Sequence, residues 1–159
     1  MEIIQITDLH ISKDKSDSKH DCVPYERLTK VLEHISANHS KHSNLVITGD
    51  LSSDFTHESY KNISSLIKQF EFNVSILPGN HDDLSMMKLI CDDQIKLESL
   101  DCKSKYFSIF NFDTHIQDNV KGVINQREIE NLDNQLSANR TNVIISVSYT
   151  HLRAHETRI

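Results

Sequence analysis

The chain has 159 residues with 23 acidic and 17 basic side chains, which gives a formal net charge of −6. This length predicts one domain with a sizeable core, and the acidic balance argues against nonspecific binding to a nucleic-acid backbone. No apolar run is long enough to cross a bilayer, and the N-terminus lacks a signal-peptide pattern. The three cysteines have no CxxC spacing and are expected to be reduced thiols, so the sequence predicts a cytoplasmic protein, whose oligomeric state it leaves open.

The first half of the chain alternates predicted strands with amphipathic helices. Apolar runs predict strands at residues 2–6, 45–48 and 74–77. Pro24 opens a first helix and Thr56 caps a second. Each helix has a predicted buried stripe at helical spacing: Leu28, Val31, Leu32 and Ile35 in the first, and Tyr60, Ile63, Ile67 and Phe70 in the second. This β-α-β-α-β order predicts parallel strands joined by right-handed crossovers.

The second half has a weaker pattern. The sequence predicts a short helix near residues 86–90 and extended segments near 95–100 and 105–112. Asn125 and Glu128 form a capping box for a last helix, whose predicted buried residues are Ile129, Leu132 and Leu136. A buried strand is predicted at 143–146, and no apolar face continues beyond it.

Polar side chains follow each of the first three predicted strands directly. The runs are Asp8-Leu9-His10, Gly49-Asp50-Leu51-Ser52 and Gly79-Asn80-His81-Asp82. Open α/β sheets bind ligands at the carboxyl edge of their strands, where these runs would meet. Asp, Asn and His together have the composition of a metal site, so the motif order indicates metal-dependent phosphoester hydrolysis.

Each of these residues has a predicted role in that chemistry. Two metal ions about 3.5–4 Å apart lower the pKa of a bridging water and bind substrate oxygens. Asp50 is the predicted bridge, because a carboxylate has two oxygens. Asp8 and His10 are two residues apart, so in an extended segment both would point toward one metal. Asn80 offers an amide oxygen to the second metal, and Gly49 and Gly79 allow sharp turns beside the ligands.

His81 is predicted to face the substrate rather than a metal, because the side chains of adjacent residues, here Asn80 and His81, tend to point in different directions. As an imidazolium it would stabilise charge in the transition state or protonate the leaving oxygen. Asp82 or Asp83 would orient its ring and keep it protonated. The competing interpretation for Asp8, Asp50 and Asn80 is turn chemistry, which suffices for each alone but not for the three together with both histidines.

The order D-x-H, G-D and G-N-H-D resembles the calcineurin-like metallophosphoesterase family, and its flanking residues resemble the class III cyclic nucleotide phosphodiesterase branch. The resemblance implies an α/β fold, a β-sandwich flanked by helices in α/β/β/α layers. It also implies two metal ions, commonly iron and manganese, with zinc as an alternative. By resemblance Asp8 and His10 bind the first metal, Asp50 bridges, Asn80 binds the second metal and substrate, and His81 contacts substrate in catalysis, with Asp82 assisting.

The activity implied by the resemblance is hydrolysis of a small-molecule phosphodiester, 3′,5′-cyclic AMP to 5′-AMP, by in-line attack of metal-bound hydroxide. Another substrate, a glycerophosphodiester or a nucleic-acid phosphoester, is an alternative. A third interpretation is an inactive fold that acts only as a binding module.

The resemblance ends at about residue 146. Family members have a further His ligand after the next buried strand and then a Gly-His-x-His pair, and neither is recognisable here. We therefore expect residues 1–146 to be the N-terminal portion of the phosphoesterase domain, with an incomplete second sheet and little or no activity of its own. Residues 147–159 resemble a translated sequencing adapter and are predicted to be a non-native, disordered tail, in which His151 and His155 lack the Glu of an H-E-x-x-H site.

Overall fold

The structure is a computed structural model that describes residues 2–19, 21–40, 43–97, 107–112, 114, 123–138 and 142–147. Its strands, in chain order, are β1 (Ile3–Ile6), β2 (Asn44–Thr48), β3 (Asn73–Leu77), β4 (Ile95–Leu97), β5 (Phe107–Phe112) and β6 (Asn142–Val147). Its helices are α1 (Pro24–Asn38), α2 (His57–Ile67), α3 (Leu84–Leu89) and α4 (Gln126–Ala138). The predicted α/β fold class is confirmed.

Four parallel strands form the main sheet, in the order β1-β2-β3-β4. Ile4 lies opposite Leu45, and Leu45 lies opposite Val74, so the first three strands are in register. Parallel strands end at the same edge, and the loops after β1, β2 and β3 therefore meet there. The predicted β-α-β-α-β arrangement of parallel strands is confirmed.

The core lies around β2 and β3, which are buried on both faces, as their continuous apolar runs require. In α1 the predicted stripe is buried at Leu28, Leu32 and Ile35, but Val31 is 37% exposed. That prediction was wrong because the flank of the helix that carries Val31 borders an open cavity. In α2 the stripe is buried except for Phe70, which lies after the helix and is half-buried.

The last helix forms where its cap predicts, since Asn125 Oδ1 accepts a hydrogen bond from the Arg127 N–H at 2.8 Å. Its apolar stripe differs from the prediction. Ile129 is 39% and Leu136 is 37% exposed, and Leu132 is half-buried. Periodicity predicted the helix correctly, but the burial of a stripe depends on a surface that packs against it, and these two side chains remain uncovered.

β5 and β6 pair in parallel as a second, two-stranded sheet. The short helix α3 begins at Leu84, earlier than predicted, because the Asp83 carboxylate caps it. The predicted strands differ in bounds, as β4 ends at Leu97 and β6 continues to Val147. The predictions for residues 98–106 and for the tail beyond Val147 lie outside the described residues.

Among the described helices, none combines the length and the apolar character needed to cross a membrane.

Candidate metal centre

The ends of β1 and β2 bring three potential ligands together. His10 Nε2 lies 3.8 Å from Asp8 Oδ1 and 3.8 Å from Asp50 Oδ2, and one ligand atom from each residue lies within 4.8 Å of the other two. The Asp50 side chain is only 3% exposed, whereas those of His10 and Asp8 are 29% and 36% exposed. The cluster therefore has a buried side at Asp50 and an accessible side at Asp8.

The backbone reaches this arrangement through left-handed residues rather than through the extended segment that the sequence predicted. Asp8, His10 and Asp50 have φ values of 57°, 46° and 53°. Such conformations of residues other than glycine cost about 1–3 kcal/mol each and persist only where surrounding contacts impose them. Here the Asp8 N–H donates to the Gly49 carbonyl at 3.2 Å and the His10 N–H to the Asp50 carbonyl at 2.9 Å. The two loops thus hold each other in a strained form that makes the side chains converge.

Two glycines make room for Asp50 for different reasons. Gly49 has a φ of 92°, which confirms the predicted sharp turn before the carboxylate. Gly79 does not have a positive φ, but a β-carbon there would collide with Asp50 Oδ1 and with the Asp50 backbone nitrogen. Gly79 is therefore needed for close approach between the two loops.

The loop after β3 brings Asn80 and His81 to the same edge. The His81 N–H donates to Asp50 Oδ1 at 3.0 Å, which ties this loop to the carboxylate. Asn80 Oδ1 is buried and accepts no hydrogen bond in the described part of the chain. A buried amide oxygen without a donor is unfavourable in a protein interior, and a bound cation would satisfy it.

The electrostatics of the cluster favour a cation. Burial lowers the pKa of His10, although the Asp50 carboxylate opposes this effect. A lowered pKa keeps the imidazole neutral near pH 7, the form that binds metals. Two carboxylates, a neutral imidazole and an unsatisfied amide oxygen are a donor set that suits first-row transition metals, so the residues present fit the metal group that the sequence predicted.

Asp82 lies at the same edge but does not have the predicted role of orienting His81. Its buried carboxylate accepts hydrogen bonds from the Leu51 and Ser52 N–H groups at 3.1 Å, from the Gly79 N–H at 2.8 Å and from the Tyr60 hydroxyl at 3.0 Å. Burial raises the pKa of Asp82, and the four donors oppose that rise because each stabilises the ionised form. Because these donors bind both of its oxygens, Asp82 joins the loops after β2 and β3. It makes no hydrogen bond to the His81 ring among the described residues.

The alternative partner, Asp83, is also engaged elsewhere. Its Oδ1 accepts hydrogen bonds from the N–H groups of Ser85 and Met86 at the start of α3. Its own N–H donates to the Tyr60 hydroxyl at 2.8 Å. Tyr60 thus connects Asp82 with the Asp83 backbone, and burial raises the pKa of its hydroxyl far above the ordinary value.

Two residues at the site were missed as site residues by the sequence analysis. Tyr60 was predicted only as a core residue, and it is buried, but its helical spacing gave no sign of the polar contact at the end of its ring. Phe55 stacks on His81 with ring centroids 5.8 Å apart and an interplanar angle of 27°. The one available signal was an isolated aromatic residue in a polar loop between β2 and α2.

A cavity of about 610 Å³ opens beside the cluster. Its lining includes Asp8, His10, Lys19, Arg27 and Leu28. This volume falls within the range of about 300–1,000 Å³ that is usual for small-molecule sites.

The order of strands, loops and ligands defines a class of protein. The chain matches the family model for calcineurin-like phosphoesterases over residues 1–155, and it belongs to that family. The fold prediction and the resemblance predicted from the sequence are confirmed.

Individual relatives carry more specific names. A probable cyclic nucleotide phosphodiesterase of Coxiella burnetii is 28% identical over 150 residues, which are 91% of this chain and 58% of the relative. A 3′,5′-cyclic-nucleotide phosphodiesterase of Nostoc is 26% identical over 136 residues, 86% of this chain and 51% of the relative. A 3′,5′-cyclic adenosine monophosphate phosphodiesterase of Haemophilus influenzae is 24% identical over 153 residues, 96% of this chain and 56% of the relative. The chain thus spans about half the length of the curated relatives it matches.

Proposed function

We propose that the protein is a metal-dependent phosphodiester hydrolase that converts 3′,5′-cyclic AMP to 5′-AMP. The observation that carries this proposal is the cluster of Asp8, His10 and Asp50, whose ligand atoms lie within 4.8 Å of one another. Membership of the phosphoesterase family supports hydrolysis of a phosphoester, and the names of the relatives support a cyclic nucleotide as the substrate.

The proposed cofactor is a pair of metal ions, iron and manganese, with zinc as an alternative. Asp8 and His10 would hold the first ion, Asp50 would bridge with its two oxygens, and Asn80 would offer its unsatisfied amide oxygen to the second. Bound metals supply a water of lowered pKa and positive charge on the phosphoryl oxygens.

The protein's own contribution to the reaction is to position groups and to transfer a proton. Hydrolysis adds the oxygen of water to phosphorus, breaks the P–O3′ bond and places a proton on the departing oxygen. His81 is exposed, and its ring centroid lies 5.4 Å from that of His10. It is the proposed donor of that proton to O3′, and Asn80 and His81 are the proposed contacts to the phosphoryl group.

The cavity of about 610 Å³ has room for a small-molecule substrate on the Asp8 side of the cluster, although its lining includes neither Asn80 nor His81. The basic side chains of Lys19 and Arg27 line the same cavity as Asp8 and His10, and positive charge there would attract an anionic substrate to a protein of net negative charge.

The test is hydrolysis by the complete protein from its native gene, loaded with Mn²⁺. We expect turnover of an aryl phosphodiester and of 3′,5′-cyclic AMP, with both activities lost in Asp50→Ala and in Asn80→Ala. Asp14→Asn is the matched control, because Asp14 is an exposed acid in a surface turn, and it should leave both activities unchanged.

Other results would revise the proposal in defined ways. Turnover of the aryl ester or of a glycerophosphodiester without turnover of cyclic AMP would overturn the substrate. Tight Mn²⁺ binding with no turnover of any phosphoester would overturn the enzymatic function and leave a binding module.

A further inference from the structure

Phe55 occupies an unusual position beside the candidate metal centre. It lies in the loop between β2 and α2, and its side chain is 46% exposed although it is large and apolar. Its φ of 59° is in the left-handed region, which a bulky residue seldom adopts. Both features are unfavourable for Phe55 considered alone, so the surrounding loop must hold it there.

The loop has the hydrogen bonds to do so. The Phe55 N–H donates to Ser52 Oγ at 2.9 Å, and Ser52 Oγ lies 2.7 Å from Ser59 Oγ in the buried start of α2. Asp54 Oδ1 accepts from the Thr56 hydroxyl at 2.8 Å on the other side of Phe55. The backbone of Phe55 is therefore fixed from both sides, and its ring is presented over His81 rather than packed into the core.

Two rings contact the His81 imidazole. Its imidazole is stacked with the Phe55 ring and meets the His10 ring edge-on, at an interplanar angle of 79°. Its ring nitrogens have no hydrogen bond to another residue in the ranges that the structure describes. The carboxylates of Asp82 and Asp83, which the sequence suggested as partners, accept hydrogen bonds from other donors.

We propose that Phe55 is a positioning residue that holds the His81 imidazole toward the metal centre. The inference rests on the proposed function for its catalytic consequence, but the contact itself belongs to the fold. Without the aromatic ring, His81 retains its backbone tie to Asp50 and gains rotational freedom of its side chain. The proton donor would then occupy its productive orientation for a smaller fraction of the time.

The kinetic test compares Phe55→Gly with Phe55→Tyr in the Mn²⁺-loaded complete protein. Misplacement of a catalytic group lowers turnover, so we expect kcat of Phe55→Gly to fall about tenfold with KM little changed. Phe55→Tyr keeps the ring and should retain kcat. Phe55→Asn, which lacks the ring but tolerates a left-handed φ, should behave like the glycine variant and serves if the latter folds poorly.

Stability separates positioning from a structural role. Glycine adopts φ near 59° without strain, so the midpoint of chemical denaturation of Phe55→Gly should be unchanged or higher. Asp21→Gly is the matched control, because Asp21 also has a left-handed φ, of 60°, and it should leave kcat unchanged. A lower denaturation midpoint of Phe55→Gly together with its lower kcat would indicate a structural role and overturn the proposal. An unchanged kcat would overturn it as well.

An NMR measurement tests the contact if the protein proves to have no phosphodiesterase activity. We expect nuclear Overhauser effects between the ring protons of Phe55 and His81 in the wild type and in Phe55→Tyr. The His81 ring signals should move toward their unstructured positions in Phe55→Gly. Absence of these effects in the wild type would overturn the positioning role whatever the activity, whereas their presence without activity would contradict only the proposed function.

Discussion

Two buried aspartates at the same edge of the sheet have opposite environments. Asp50 and Asp82 are 2% and 3% exposed. Within the described part of the chain Asp50 accepts one hydrogen bond, from the His81 N–H, and its Oδ2 faces His10 Nε2 at 3.8 Å. Asp82 accepts hydrogen bonds from three backbone N–H groups and from the Tyr60 hydroxyl. Burial is the same for both carboxylates, and only the supply of donors differs.

The difference shows which acid is available to a ligand. A buried carboxylate with few hydrogen-bond donors is stabilised by a bound cation, whereas one with donors on both oxygens stabilises the fold without one. We therefore assign Asp50 to the proposed metal centre and Asp82 to the structural network that joins the two loops. Four substitutions test this contrast, one at each aspartate and two at residues around them.

The largest effect is expected from Asp50→Asn. The amide oxygen can still accept from the His81 N–H, but a negative charge of the proposed metal centre is lost, so kcat/KM with Mn²⁺ should fall about a thousandfold, or about 4 kcal/mol. The chelator-treated variant should be at least as stable to urea as the wild type, because a buried charge with few partners has been removed. A marked loss of stability without metal would contradict the assignment.

Asp82→Asn should have the reverse profile. An amide nitrogen would face donors where a carboxylate oxygen now accepts, so the free energy of unfolding should fall by about 3 kcal/mol in urea denaturation. Asp83→Asn is the matched control, because asparagine caps a helix as well as aspartate does, and its stability should be unchanged. If both variants were equally stable, the network around Asp82 would not be structural.

Gly79→Ala connects the two regions. The new methyl group would collide with Asp50 and force the loops apart, and overpacking of this kind lowers stability by about 2 kcal/mol. Mn²⁺ affinity, measured by calorimetry, should fall as well. In the Asp50→Ala background the stability loss should be smaller, since one of the colliding atoms is gone. Additive effects of the two substitutions would mean that the methyl group is accommodated elsewhere.

Tyr60→Phe should have the smallest effect. It removes the hydroxyl that donates to Asp82 and accepts from the Asp83 N–H while keeping the buried ring. The free energy of unfolding, measured in urea, should therefore fall by about 1.5 kcal/mol. Tyr25→Phe is the control, because the ring contact of Tyr25 with the Lys15 ammonium survives the substitution and stability should not change. Equal stability of Tyr60→Phe and the wild type would show that the hydroxyl is dispensable.

Much of the fold follows from local patterns in the sequence. The apolar runs of β2 and β3, the proline at the start of α1 and the Thr56 cap of α2 are short-range signals, and the structure has each of them. Predictions of side-chain burial, which depend on a packing partner, were less accurate. Val31 and Leu136 satisfy the helical period but are exposed, because periodicity cannot tell which other element covers a face. The boundary at residue 146 and the origin of the tail remain predictions.

The sequence by itself determined the order of strands and helices, the three polar runs after β1, β2 and β3, and the family to which the chain belongs. These depend on residue type and on spacing along the chain. Only the tertiary structure decided what the members of those runs do. Asp50 Oδ2 faces His10, Asp82 accepts hydrogen bonds from Tyr60 and from two loops, and Phe55 takes the place beside His81 that a carboxylate was expected to have. The physical reason is that hydrogen-bond donors and ring contacts come from residues that are distant in sequence, and their supply is fixed only when the loops pack together.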